Sequence, residues 1–197
     1  MARTRADDYD DKRALIYDRA AELFAEQGFS RTSIAELAAH CRASKSWIYH
    51  YFPSKEAILY EILRDHMALL LRTAEAEVAA QRAPAAQLRA LLRSFMGIYV
   101  RAKAKHVVLL AELGSLPAAQ QEEIRGLERR VVDLVAGVLA RLNAPLVAQR
   151  GALKPIAMML FGMINWTYTW YRPEGPIKPE QLADMATDLF LNGLGRP

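Results

Sequence analysis

A single cysteine, Cys41, occurs among the 197 residues, so the chain cannot close a disulfide within one molecule. Such scarcity is typical of proteins in a reducing compartment, and we expect a cytoplasmic location. The polar N-terminus lacks the apolar core of a secretory signal, which predicts that the protein is not exported. No stretch approaches the roughly 20 consecutive apolar residues that span a bilayer, so no membrane partner is expected.

Metal-binding and catalytic patterns are scarce as well. The four histidines, His40, His50, His66 and His106, show no ligand spacing with Cys41 or with one another, so no metal site is predicted. No glycine-rich phosphate loop follows a strand, because no segment has the pattern of a strand. Without a cluster of convergent titratable side chains, neither an enzyme nor a cofactor is predicted.

The chain is instead rich in helical periodicity. Its hydrophobic content of 52% is enough for one sizeable core or two smaller ones. Apolar residues recur at helical spacing along nearly the whole chain, which predicts an all-α fold of about nine helices. Two short helices are predicted between residues 33 and 53, and the other seven cover residues 9–27, 56–80, 85–103, 106–113, 117–142, 150–172 and 179–194.

The two short helices form the most informative pattern. Ser33 and Glu36 make a capping box, which satisfies two free amides and fixes the start of the first helix. Ser44 is placed to cap the second helix, and Pro53 ends it. Two helices joined by so tight a turn predict a helix-turn-helix, whose second helix can lie in the major groove of DNA.

One side of that second helix carries Lys45, Ser46, Tyr49 and His50, which are donors, a positive charge and flat rings. The net charge of the whole chain is a mild +4. Between residues 28 and 55, four cationic side chains oppose one carboxylate, so the basic character is concentrated here. The pattern favours a nucleic-acid surface over a helical interaction module that does not bind DNA, although the module stays an alternative.

The run FAEQGFSRTSIAELA at residues 24–38, with Ser44-Lys45 and IYHYFPSKE at residues 48–56, resembles the N-terminal DNA-binding domain of TetR-family transcriptional regulators. The resemblance implies a three-helix DNA-binding domain followed by a larger helical domain for ligand binding and dimerisation. The division is predicted to give a DNA-binding domain at residues 1–55 and a ligand-binding and dimerisation domain at residues 56–197.

The chain departs from the family at two places. Arg42 stands where glycine is frequent, so the turn is expected to hold a non-glycine residue at positive φ. Ser46-Trp47 stands where Gly-Thr is frequent, so the base preference cannot be carried over. The predicted DNA contacts, from the α-helical face and the helix starts, are Thr32, Ser33, Arg42, Ser44, Lys45, Ser46, Trp47, Tyr49, His50, Tyr51 and Lys55. Arg3 and Arg5 are either a short basic arm on the DNA or a disordered tail.

The segment 156–171 is apolar on both sides of a helix, so both sides must be covered. One side can pack on the core and the other on a second copy of the chain; a plain buried core helix is the alternative. The resemblance implies a homodimer through the last two long helices. A two-fold dimer presents two recognition helices to a near-palindromic double-stranded DNA operator. The predicted dimer interface contains Met159, Met163, Thr167, Trp170, Leu182, Met185 and Leu189.

The resemblance also implies a small-molecule effector in the helical body. Aromatic and methionine side chains with a few polar groups suit an apolar ligand; a core role is favoured for each residue taken singly, but not for the set. The predicted lining is Phe95, Met96, Tyr99, Leu109, Phe161, Asn165, Trp166 and Tyr168. The run NWTYTWYRPEGP at residues 165–176 is similar to that of members controlling fatty-acid, sterol or aromatic-acid breakdown, several of which sense acyl-CoA thioesters. The CoA phosphates would meet Arg89, Arg93, Arg101, Lys103 or Lys105, and the alternative is that these cations solvate a helix face.

Together these patterns predict a ligand-responsive DNA-binding regulator. The usual mode of the family implies a repressor that binds a palindromic operator as a dimer and is released by a small apolar or acyl-CoA-type effector. An all-helical enzyme is the alternative from another class, and the salt dependence of DNA binding separates the two.

Overall fold

The computed structural model describes residues 5–142 and 144–194, with side chains from residue 9 onward. Within these ranges the chain forms nine α-helices and no strand, which confirms the predicted all-α fold. The helices are α1 (Arg5–Gln27), α2 (Ile34–His40), α3 (Lys45–Tyr51), α4 (Lys55–Ala79), α5 (Pro84–Arg101), α6 (Lys103–Glu112), α7 (Ala118–Ala140), α8 (Leu153–Asn165) and α9 (Pro179–Leu194). Two short 3-10 helices, Leu113–Ser115 and Trp166–Thr169, follow α6 and α8.

One predicted helix is too long. The pattern predicted a helix over residues 150–172, whereas α8 ends at Asn165 and continues as a 3-10 helix. The Thr167 hydroxyl donates to the Ile164 carbonyl at 2.6 Å, and the amides of Trp170 and Tyr171 both point to the Thr167 carbonyl. These bonds tighten the chain into a 3-10 turn, a frequent end for a helix.

The helices are distributed over two compact units. The first contains the residues up to His66 together with Ala104–Ile124, and the second contains Met67–Lys103 together with the residues from Arg125 onward. Among the described residues, no helix combines the length and apolar character needed to cross a bilayer.

The first unit is built around the helix-turn-helix. Gly28 ends α1 with φ of +88°, a conformation that glycine adopts without a steric penalty. Leu37 of α2, Ile48 of α3 and Phe52 after it are fully buried, so each short helix is held by the core rather than by its own length.

Helix α6 belongs to this same unit. The Phe29 amide donates to Oε1 of Glu112 at 3.0 Å, and Lys105 pairs with Asp18 at 2.7 Å while lying over the ring of Tyr17. An amide just after α1 is therefore satisfied by a side chain 83 residues further along the chain.

The second unit places α5 against α9 and α8 beside α9. Arg93 makes a bidentate pair with Asp184 at 2.6 and 2.7 Å, and Arg89 contacts both Asp184 and Asp188. The Arg93 guanidinium holds the pKa of the Asp184 carboxyl below its usual range.

Candidate functional site

The start of α2 has the predicted capping geometry. The Ser33 hydroxyl accepts from the Glu36 amide at 3.2 Å, and the Glu36 carboxylate accepts from the Ser33 amide at 2.7 Å. Hydrogen bonds from Ser33 favour the charged carboxylate and lower the pKa of Glu36. The capping box predicted from the sequence is confirmed, and it fixes the start of α2.

The turn between α2 and α3 contains the expected departure from ordinary backbone. Arg42 adopts φ of +52°, in the left-handed region, and its side chain is exposed. The Ser44 hydroxyl then accepts from the Trp47 amide at 3.1 Å and caps α3 as predicted. Both the strained turn and the cap lie immediately before the first residue of α3.

Helix α3 presents one buried and one exposed side. Ile48 has no exposed surface, whereas the Tyr49 side chain is 51% exposed and Lys45, Ser46 and His50 are exposed beside it. The structure therefore brings the predicted recognition residues onto one surface that a DNA groove can accept.

An aromatic cluster supports α3 from the side of α1. The Tyr51 ring lies 4.7 Å from Tyr9, 5.0 Å from Trp47 and 5.0 Å from His50 between ring centroids. Trp47 and Tyr51 are thus half-buried, and their predicted DNA contacts are restricted to their exposed edges. Sequence reasoning missed Tyr9, because the only signal was an aromatic residue on the helix that precedes the motif.

Two of the predicted phosphate contacts are corrected. The Thr32 side chain is 2% exposed, and its hydroxyl donates to the Gly28 carbonyl at 2.9 Å. The Lys55 ammonium donates to the carbonyls of Phe29 and Thr32, both at 2.8 Å, and lies 4.2 Å from the Phe29 ring centroid. The Thr32 hydroxyl and the Lys55 ammonium therefore stabilise the loop before α2.

Ser33, Arg42 and Ser44 remain exposed at the helix starts, where phosphate contacts were predicted. The proposed arm falls outside this description, because Arg3 and the side chain of Arg5 lie outside the described residues.

Part of the predicted effector lining comes together in the second unit. Phe95, Met96, Tyr99 and Phe161 are buried there, and the Tyr99 ring stacks on Phe95 with centroids 6.3 Å apart. The Tyr99 hydroxyl donates to Oδ1 of Asn165 at 2.9 Å, and burial raises the pKa of this tyrosine. These residues form an apolar cluster with one internal polar pair.

The other predicted lining residues are Trp166, Tyr168 and Leu109. The Trp166 side chain is 63% exposed and packs edge-on against the half-buried Tyr168. Leu109 is buried in the first unit, since it lies on α6. The prediction for Trp166 is corrected, because its side chain faces solvent, whereas Leu109 stays a prediction.

Most of the basic side chains predicted to contact the CoA phosphates form ion pairs with carboxylates. Arg89 and Arg93 pair with acidic residues of α9, and Lys105 pairs with Asp18. The neighbouring carboxylates partly neutralise these cations and weaken their attraction for a phosphate.

The exposed apolar face of α8 and α9 agrees with six of the seven residues predicted for the dimer interface. Met159, Met163 and Trp170 are exposed after or along α8, as are Met185 and Leu189 on α9, while Leu182 is half-buried. Thr167 is the exception, because it is buried and its hydroxyl is bonded to Ile164. The buried side of α8 contains Ile156, Ala157, Leu160, Phe161 and Ile164.

Comparison with known proteins places both parts of the chain in one family. Residues 16–62 match bacterial regulatory proteins of the tetR family, and residues 81–194 match the tetracyclin repressor-like C-terminal domain. A crystal structure of a TetR-family transcriptional regulator from Bordetella parapertussis 12822 is 38% identical, with 91% of this chain and 94% of that chain covered and a TM-score of 0.88.

Two further proteins are similar over nearly their whole length. The structure of AibR in complex with isovaleryl coenzyme A and operator DNA is 26% identical, with 90% of this chain and 97% of that chain covered and a TM-score of 0.79. The fatty acid metabolism regulator protein of Bacillus subtilis (strain 168) is 26% identical over 192 residues, which are 91% of this chain and 93% of that protein.

The helix-turn-helix lies in the segment that matches the tetR family, and most of the helical body lies in the segment that matches the C-terminal domain. The chain belongs to the TetR family of bacterial transcriptional regulators, which bind operator DNA as ligand-responsive dimers.

Proposed function

We propose that this chain is a cytoplasmic, non-catalytic repressor whose homodimer binds a near-palindromic operator with two copies of α3. The exposed face of Lys45, Ser46, Tyr49 and His50 supports this assignment most directly. The hydroxyls and the guanidinium of Ser33, Arg42 and Ser44 hold the flanking phosphates, which fixes the register of α3 without reading bases.

The exposed face of α3 contacts the DNA, and the aromatic cluster on its other side positions the helix. Tyr49 and His50 carry flat rings and hydrogen-bonding groups to base edges, and Lys45 supplies charge for base or phosphate oxygens. The aromatic cluster around Tyr51 keeps the helix from rotating about its own axis, so these side chains reach the groove in one orientation.

The effector is proposed to be a small apolar molecule of the acyl-CoA type. Two relatives support this effector class. One is a fatty acid metabolism regulator, and the other, AibR, was crystallised with isovaleryl coenzyme A and operator DNA. Such a ligand would release the operator by binding more tightly to a conformation in which the two α3 helices no longer match successive grooves.

The operator assignment is tested with duplex DNA selected from a randomised pool by the full-length protein. Tyr49→Ala is expected to weaken binding to the selected operator by at least about 30-fold while the dimer stays intact in sedimentation. Lys154→Ala, at an exposed lysine of α8, is the matched surface control and should leave affinity unchanged. Full affinity of the Tyr49 variant would show that the reading face is misplaced.

The effector class is tested by isothermal titration with a series of CoA thioesters of increasing chain length. We expect heat with at least one chain length, and loss of operator binding at the same ligand concentration. Absence of heat with every thioester, together with undiminished operator binding, would rule out the acyl-CoA class and leave the DNA-binding assignment untouched.

A further inference from the structure

A groove of about 520 Å³ lies between the last turns of α4 and one face of α7, within the second compact unit. Val78 of α4 and Leu134 and Val138 of α7 give it an apolar floor. The volume is in the range of small-molecule sites, which span roughly 300–1,000 Å³. Sequence reasoning did not select these residues, because valine and leucine at helical spacing are equally typical of a core.

Gly137 keeps the groove open. It lies inside α7, where glycine is unfavourable relative to alanine because it adds backbone freedom to the unfolded chain. A Cβ at this position would meet nothing within 4 Å, so neighbouring atoms do not require a glycine there. The missing side chain instead leaves space above the apolar floor.

Arg141 supplies a positive charge at one edge of the groove. Its guanidinium donates to Oε1 of Gln87, a neutral amide, and it forms no ion pair within residues 9–142 and 144–194. The other arginine of the groove, Arg130, is already paired with Glu75 at 2.9 Å. Asp133 lies about two helical turns before Arg141, roughly 12 Å along the axis, so it does not neutralise that charge.

We propose that this groove binds a small amphiphile with an apolar body and one anionic head group. The head lies on Arg141 and the apolar body covers Val78, Leu134 and Val138, above the gap left by Gly137. This inference rests on the proposed function, since it assigns a place and a charge to the apolar effector. A free carboxylic acid and a CoA thioester share this chemistry, and the experiment separates them.

The position of Arg141 gives the groove a connection to the end of α4. The fully buried Gln87 donates from Nε2 to the carbonyls of Glu77 and Val78, at 3.0 and 2.8 Å. These are two of the last four carbonyls of α4, which have no partner within their own helix. An anion on Arg141 competes with Oε1 of Gln87 for the guanidinium, so Gln87 loses one of the three hydrogen bonds that fix its side chain at the end of α4.

The test uses the full-length dimer with octanoate, octanol and octanoyl-CoA as probes in isothermal titration. Gly137→Leu fills the groove and is expected to weaken binding of the anionic probe at least 20-fold, while Gly137→Ala, whose Cβ meets no neighbour, keeps wild-type affinity. Arg141→Gln is expected to lower the affinity for the anionic probe about 10-fold. Arg141→Lys keeps the charge and is expected to retain most of the wild-type affinity. Octanol lacks the anionic head group. Its affinity for the wild type should therefore not exceed the affinity of the Arg141→Gln variant for octanoate.

Operator binding separates the possible failures. Each variant is first shown to bind the selected operator without ligand, which confirms that it is folded and dimeric. If octanoyl-CoA releases the operator equally from wild type and Gly137→Leu, the proposed function holds and the groove assignment is wrong. If octanoate alone binds in the groove without releasing the operator, the groove assignment holds and the acyl-CoA effector is wrong. No binding of either anionic probe to the wild type overturns the groove assignment.

Discussion

Arg42 is the residue at which backbone strain and a predicted DNA contact coincide. A non-glycine residue at φ of +52° is strained, because its Cβ approaches the following carbonyl. The guanidinium of Arg42 is exposed in the turn immediately before α3, where a phosphate contact is predicted. Stability and operator affinity are therefore expected to oppose each other at this position.

We predict that Arg42→Gly raises the free energy of unfolding by about 0.5–1 kcal/mol, because glycine adopts this φ without strain. It should also weaken operator binding several-fold and reduce the salt dependence by about two phosphate contacts, one from each protomer. Urea unfolding and operator titration over a range of salt concentrations measure the two effects.

Gln81→Gly is the matched control for this prediction. Gln81 has φ of +49° in the turn between α4 and α5, in the other compact unit. It should show the same gain in stability with unchanged operator affinity and salt slope. Unchanged operator binding in both variants would remove Arg42 from the DNA contacts.

At the residue scale, local signals in the sequence were sufficient for the caps. Ser33, Glu36 and Ser44 bond to amides no more than three residues away, so spacing alone predicted their contacts. The Lys55 ammonium bonds to carbonyls 23 and 26 residues away, and no pattern of neighbours indicates such a contact. A basic residue in a basic segment was therefore assigned to DNA although the fold uses it internally.

Two buried histidines join α4 to α6 at the scale of elements. His66 Nε2 and His106 Nδ1 lie 3.3 Å apart, and both side chains are at most 2% exposed. Burial lowers the pKa of His66 to about 4 and that of His106 to about 3, with Lys105 adding to the first shift and His66 to the second. Among the described residues, no group of three ligand-type side chains forms a metal site around them.

This pair makes stability depend on pH in a definite direction. The unfolded chain takes up these protons near pH 6.5, whereas the folded chain does so only near pH 4 and below. The stabilisation is complete above pH 6.5 and is lost as pH falls toward 4, because the unfolded state then binds more protons. Each histidine contributes about 2 kcal/mol of this loss at pH 5.

We therefore predict that His66→Leu flattens the fall in unfolding free energy between pH 7 and pH 5, measured by urea unfolding at each pH. His40→Gln, at an exposed histidine of α2, should retain the wild-type slope. Parallel slopes in all three proteins would mean that the pair is protonated in the folded state.

Periodicity predicted the number and order of the helices but not every boundary. The end of α9 at Leu194 agrees with the pattern, because the chain beyond Pro179 keeps one continuous apolar stripe. The end of α8 does not, since the Thr167 hydroxyl competes for a helix carbonyl while its neighbours Trp166 and Tyr168 still fit the apolar period. The sequence likewise showed that two sides of α8 are apolar, but tertiary packing decided which side is buried.

At the scale of the whole molecule, the exposed apolar face of α8 and α9 is where dimerisation is expected. Leu189 on α9 is 70% exposed, beside the exposed Met185 of the same helix. A carboxylate at this position would be buried twice in a two-fold interface without a partner.

We predict that Leu189→Glu weakens dimerisation at least 100-fold and abolishes high-affinity operator binding, with the monomer still helical by circular dichroism. Sedimentation velocity at several concentrations measures the change. Leu110→Glu replaces an exposed leucine of α6 and should remain dimeric. A dimeric Leu189 variant would place the interface elsewhere on the surface.

Glu112 limits how this regulator can be recombined with others. The carboxylate that accepts from the Phe29 amide comes from α6, so the recognition unit is not contiguous in sequence. A hybrid repressor that takes only the N-terminal segment from this chain would leave that amide dependent on whatever side chain the recipient offers. Exchange of the reading specificity is thus best made by grafting the surface of α3 alone, or by moving Ala104–Ile124 together with the N-terminal segment.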